Sequence, residues 1–167
     1  KCRMTRSISS PADIDALSHR QAEASDRPTR IRVDLDALTH NLRVLRAHAG
    51  VPVMGIVKAN AYGHGLVPVA LHLQAQGVEQ LGVAFLEEGI LLRQAGVHVP
   101  ILVMGGIFGP QAAGFIAHDL EITVSSLDKL RQIEAAAQAL GRKAIIHLKI
   151  DTGMERIGVH SYNAGPF

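Results

Sequence analysis

Apolar positions along this chain change period repeatedly, and each change marks an element. After Asp36, which reads as an N-cap, Leu38, Leu42 and Leu45 recur at helical spacing as far as Gly50. Residues 53–57 then form a short apolar run of strand type, and residues 67–76 follow at helical period, closed by Gly77. The alternation repeats: strand at 81–85, helix at 87–94 stopping at Gly96, and strand at 101–104 behind Pro100. A helix at 111–118 and a strand at 121–124 come next. A long helix then runs to Leu140, capped by Ser126 or Asp128 and ended by Gly141, before a last strand at 144–150. Strands that are apolar on both faces and separated by helices predict a parallel sheet covered by helices. This pattern alone leaves two α/β architectures open, a doubly wound sheet and a βα barrel.

Residues 1–30 break the rhythm. They are polar, with Pro11 and Pro28, and read as a flexible N-terminal tail or linker with a short helix near residues 12–24; residues 30–34 could form a short strand. Residues 31–167 then make one domain. Composition changes this picture little. Of 167 residues, 47% are hydrophobic and 19% charged, with a net charge of +2, an ordinary balance for a globular chain. Lysines and arginines are scattered and aromatics few, so nucleic acid is not an expected partner. One cysteine, Cys2, excludes an intrachain disulfide framework. No apolar run reaches eighteen residues, so neither a membrane span nor a signal peptide is expected, and the location expected is cytoplasmic. The chain reads as a piece of a longer frame.

The chemistry concentrates in residues 57–65, Val-Lys-Ala-Asn-Ala-Tyr-Gly-His-Gly. Lys58 stands at the end of an apolar strand, where an ammonium needs a covalent or electrostatic reason to be. Tyr62 lies four residues on, Gly63 and Gly65 permit a tight turn, and the helix that follows offers its N–H groups to a phosphate. Amine, phenol, glycine turn and helix N-terminus together suggest an aldehyde cofactor that carries a phosphate, pyridoxal 5'-phosphate. A second stretch is residues 147–159. Along it Ile146, Leu148 and Ile150 share one face, while His147, Lys149 and Asp151 share the other and should point inward as a mutually paired line. Glu87 and Glu88 read as a solvated helix start, and Gly105-Gly106 as a turn. His40, His72, His98 and His118 lack metal-ligand spacing, so no catalytic metal is expected.

Both stretches resemble the signatures of alanine racemases, and the resemblance extends over residues 32–160. It implies an eight-stranded TIM-like βα barrel followed by a C-terminal β domain, of which this chain would hold about five strands and no β domain. It implies racemisation of L- and D-alanine that supplies D-alanine for peptidoglycan in bacteria. By resemblance Lys58 binds the cofactor covalently and moves the Cα proton on one face, and Tyr62 hydrogen-bonds the cofactor phosphate. The lysine matching Lys149 is often carbamylated and then holds the arginine matching Arg156. That arginine stands beside the cofactor's phenolic oxygen and helps receive the substrate carboxylate. Glu155 occupies a position where many family members have a small residue. The opposing base is, by resemblance, a tyrosine of the partner subunit's C-terminal domain in a homodimer, beyond residue 167, so this chain alone should be inactive. A racemase for serine or for several amino acids, a noncatalytic barrel that binds pyridoxal phosphate and an interaction domain built on a dead half-barrel are the alternatives.

Overall fold

The computed structural model describes residues 31–165, so the tail and the helix read near residues 12–24 lie outside the described residues. Helix α1 (Leu35–Ala49) opens the fold, followed by β1 (Met54–Ile56) and a short helical segment, Lys58–Tyr62. Then come α2 (Leu66–Ala75), β2 (Gln80–Val83), α3 (Leu86–Gln94), β3 (Ile101–Val103), α4 (Ala112–Ala117), β4 (Glu121–Val124) and α5 (Leu127–Leu140). The described chain closes with β5 (Ile146–Leu148), β6 (Ile150–Asp151), β7 (Val159–His160) and a 3-10 turn, Ser161–Asn163.

Five strands form one sheet in the order β1-β2-β3-β4-β5, each parallel to the next. This order decides between the two architectures. A doubly wound sheet reverses its strand order at a switch point, whereas a βα barrel adds each strand beside the last. The chain is a partial α/β barrel.

The two faces of the sheet differ in kind. Leu81, Val83, Ile101, Val103, Ile122 and Val124 sit at one phase of the ladder and are fully or almost fully buried beneath the helices with Leu92 and Phe115. The opposite phase lines the barrel interior. A β-carbon built on Gly82 would meet Ile56 Cδ1 at 2.7 Å, so the glycine makes room for a neighbour's side chain there. On this inner face Glu121 Oε2 accepts from Gln80 Nε2 (2.6 Å) and lies 2.6 Å from His147 Nε2.

Several predicted elements are corrected. Residues 31–34 have no regular structure, because a strand needs a neighbour and the sheet begins at β1. Helix α1 starts at Leu35, which puts Asp36 in its first turn, where a carboxylate still favours the helix dipole. Ser126 does cap α5, its Oγ accepting from Lys129 N–H (3.3 Å), and Gly141 ends that helix at φ +61°. The single strand read at 144–150 splits at Lys149. Its N–H donates to Val124 O (2.8 Å) and its carbonyl accepts from Val159 N–H (2.9 Å), so the chain leaves β4 there and pairs with β7 instead.

One apolar surface lacks cover among the described residues. Ile145, Ile146, Leu148 and Ile150 are 60, 40, 40 and 36% exposed on and beside the edge strand β5. A parallel edge with exposed isoleucines is a template for association. This chain alone is expected to self-associate, as size-exclusion chromatography with light scattering would show; a sharp monomer peak with cooperative melting would overturn the expectation.

Candidate functional site

Barrel chemistry belongs at the C-terminal ends of the strands, and β1 delivers Lys58 there, directly after buried Val57. The segment that follows is unusual. Ala59, Asn60, Ala61 and Tyr62 all have positive φ, between 51° and 57°, a left-handed turn in L-residues. Each such residue costs about 1–2 kcal/mol because of its β-carbon, least for Asn60, whose short polar side chain bonds locally, so the segment must be held by its surroundings. Gly63, at φ +88°, ends the turn, its N–H donating to Ala59 O and Asn60 O.

Asn60 and His64, for which the sequence supplied no role, both hold this turn. Asn60 Oδ1 accepts from Leu66 N–H (2.8 Å), and its carbonyl accepts from Gly65 N–H (2.9 Å). His64 Nδ1 lies 2.8 Å from Ala61 O. These bonds narrow the expectation that α2 presents its N-terminus to a phosphate, leaving the Val67 N–H for it. Leu66 N–H is already taken by Asn60, and Pro68 has no N–H to give.

The left-handed turn brings Lys58 and Tyr62 together. Lys58 Nζ lies 6.0 Å from the centre of the Tyr62 ring, the outer limit of a cation–π contact. Lys58 is half-buried, while Tyr62 is 60% exposed. This donor set fits pyridoxal phosphate: a primary amine for the aldehyde and, without a hydrogen-bond partner among the described residues, a phenol for a phosphate oxygen.

Glu88, read as solvated, is tied down. Its Oε1 accepts from Ala59 N–H (2.7 Å), and its Oε2 accepts from Ala84 N–H (2.8 Å) and Phe85 N–H (3.2 Å). Sequence reasoning missed it because a glutamate three residues into a helix is ordinarily a local cap. Gly105 serves a close approach: a β-carbon there would sit 2.4 Å from Ala84 O.

The second motif is placed differently from its expectation. His147 and Thr123 share the inner phase of the sheet, as the alternation implied, but His147, Lys149 and Asp151 do not pair with one another. His147 turns to Glu121. Lys149 is half-buried, Arg156 is exposed, and neither side chain has a hydrogen-bond or ion-pair partner among the described residues. Asp151 is buried and accepts at Oδ1 from Gly153 N–H (2.9 Å) and Glu155 N–H (3.1 Å), which folds residues 152–156 back over the strand end. Glu155 stands at φ +54°, a left-handed conformation that strains any residue with a β-carbon.

The two backbone donors, Gly153 first, hold the Asp151 carboxyl below its ordinary value. A carboxyl so lowered stabilises the loop fully above the unfolded value of about 3.9 and loses that contribution as pH falls through the lower folded value. The Gly153 and Glu155 amide resonances are therefore expected to shift in acid with a midpoint below about 3.9. In Asp151→Asn that titration should vanish; a midpoint at or above the ordinary value would count against the loop anchor.

Comparison with known proteins agrees with this geometry. The family model for the alanine racemase N-terminal domain matches residues 33–165. The alanine racemase of Geobacter sulfurreducens is 43% identical over 143 residues, 84% of this chain and 37% of its own length. The crystal structure of alanine racemase from D-cycloserine-producing Streptomyces lavendulae superposes with a TM-score of 0.74 at 41% identity, covering 81% of this chain and 36% of that one. Histidine racemase from Leuconostoc mesenteroides superposes at 0.71 with 28% identity, covering 76% and 34%. This chain thus spans about a third of the length of the relatives it matches. With its partial barrel and both motifs in place, the chain belongs to the alanine racemase family, within that family's N-terminal domain.

Proposed function

We propose that this chain forms the lysine-bearing N-terminal part of a pyridoxal-phosphate-dependent alanine racemase. The observation that carries the reading is the placement of Lys58 beside Tyr62 on a left-handed turn at the C-terminal end of β1. When bound, pyridoxal phosphate supplies an electron sink that stabilises negative charge at the substrate Cα. Lys58 would hold it through the ε-amine and, once released by the incoming amino acid, carry the Cα proton on one face. Tyr62 would donate its hydroxyl to a phosphate oxygen. Arg156, planar and permanently charged, would receive the substrate carboxylate, and its present exposure leaves it free to do so. Carbamylation of Lys149 would turn a cation into an anion able to hold that arginine.

Lys58 supplies a base on one face; the opposite face requires a second base, which family resemblance assigns to a tyrosine of the C-terminal domain in a homodimer. Alanine as substrate, a role in peptidoglycan supply and a cytoplasmic location follow from the same resemblance. No described helix is long and apolar enough to cross a membrane. The test is chemical: incubation with pyridoxal phosphate, borohydride reduction and peptide mapping should put the added mass on Lys58, and not on Lys129, Lys143 or Lys149. Added mass spread evenly over the lysines would overturn the reading.

A further inference from the structure

We propose that Glu88 is a positioning residue for the cofactor lysine, bridging the ends of β1 and β2 so that the turn after Lys58 keeps its left-handed form. The proposal rests on Lys58 being the cofactor lysine. A helix-capping role would account for only half of what Glu88 does. Its Oε2 serves the local cap, accepting from Phe85 N–H and the adjacent Ala84 N–H. Its Oε1 points to another part of the chain and accepts from Ala59 N–H at 2.7 Å, the amide directly after Lys58.

Geometry makes a carboxylate necessary here. Three N–H groups from two strand ends converge on one side chain, so both of its ends must accept. Glutamine has one oxygen and would turn its NH2 toward an N–H at one end. Aspartate lacks the methylene needed to span from Ala84 to Ala59. The anchored amide belongs to a residue at φ +53°, the first of four in the left-handed region. These residues return to ordinary backbone angles unless something holds them. The intrasegment bonds to Gly63, His64 and Gly65 close the far end of the turn; at its start Ala61 N–H donates to Val57 O (2.8 Å) and Glu88 takes the Ala59 N–H, the one side-chain anchor there among the described residues. Since the Lys58 side chain leaves the backbone between buried Val57 and anchored Ala59, fixing both fixes the direction in which that side chain sets out from Cα, and so the space its amine can reach.

The experiment titrates the chain with pyridoxal phosphate, traps with borohydride and maps the Lys58 peptide in the parent, E88Q, E88D and E87Q. Glu87 carries the same charge one position away, is exposed and makes no such bridge. Loss of a charge-assisted bond at this amide is expected to weaken attachment at Lys58 about tenfold or more in E88Q and E88D, with E87Q unchanged. Residue-resolved hydrogen exchange gives an independent readout in the unmodified chain: the Ala59 amide, though its residue is exposed, should be protected, and in E88Q it should exchange freely while β2 and β3 stay protected. If E88Q attaches the cofactor as tightly as the parent, the positioning role is overturned and the lysine reading stands. If the parent itself shows no attachment at Lys58, both are overturned. If E88Q fails to fold, the unmodified chain decides: free exchange at Ala59 overturns the proposal, and protection there with loss of attachment in E88D supports it.

Discussion

Lys58→Ala is expected to abolish the trapped attachment of pyridoxal phosphate, leaving the visible spectrum that of free cofactor. The effect is all-or-none because the amine is a reactant, and alanine has nothing to offer the aldehyde. The fold should survive the change. Lys58 is only half-buried, its ammonium makes no ion pair among the described residues, and its contact with the Tyr62 ring, at 6.0 Å, is weak. An alanine at this position also matches its neighbours Ala59 and Ala61 in size. Attachment that persists undiminished in Lys58→Ala, mapping to Lys149 or another lysine, would sink the site assignment. Loss of attachment together with an unchanged melting curve would separate chemistry from folding.

Phe115→Ala should have the largest effect on stability. Phe115 lies on α4, is fully buried and heads the largest side chains sealed from solvent. Its backbone also closes the turn into β4, with Leu120 N–H donating to Phe115 O (3.0 Å). Truncating a buried phenylalanine costs about 3–5 kcal/mol, against a total of about 5–15 kcal/mol for a domain. A partial barrel with an uncovered edge strand is placed at the low end of that range, so the variant should lose much of its cooperative transition or melt well below the parent. Val44→Ala is the comparison: Val44 is 52% exposed on α1 and its truncation should change stability by less than about 0.5 kcal/mol. Equal effects from the two would show that the helix-covered face is not the core.

Much of the fold was legible because it rests on local periodicity. The strand at 121–124 matches β4 residue for residue, and α2, α3 and α5 fall within a residue or two of their predicted ends, since Gly77, Gly96 and Gly141 punctuate them. Where prediction failed, the deciding partner was distant. Residues 31–34 have strand-like composition but no strand to pair with. Residues 144–150 look continuous, yet the Lys149 backbone changes partners from β4 to β7. The inward line of His147, Lys149 and Asp151 was read as self-pairing, whereas His147 found Glu121, twenty-six positions earlier.

The candidate site divides in the same way. The sequence by itself determined which residues are candidates for chemistry: Lys58, Tyr62, Lys149 and Arg156 are recognisable because their motifs are contiguous. Asn60 and Gly63 also suit a left-handed turn, since glycine and asparagine tolerate that region best. Tertiary structure alone decided what holds those residues in place. Glu88 meets Ala59 across twenty-nine positions, and β1 to β5 line up in sequential order through pairings between strands about twenty or more residues apart. The physical reason is that hydrogen-bond satisfaction is a property of the assembled backbone: a carboxylate's partners are whichever amides the packed strand ends bring to it, and no local pattern records them.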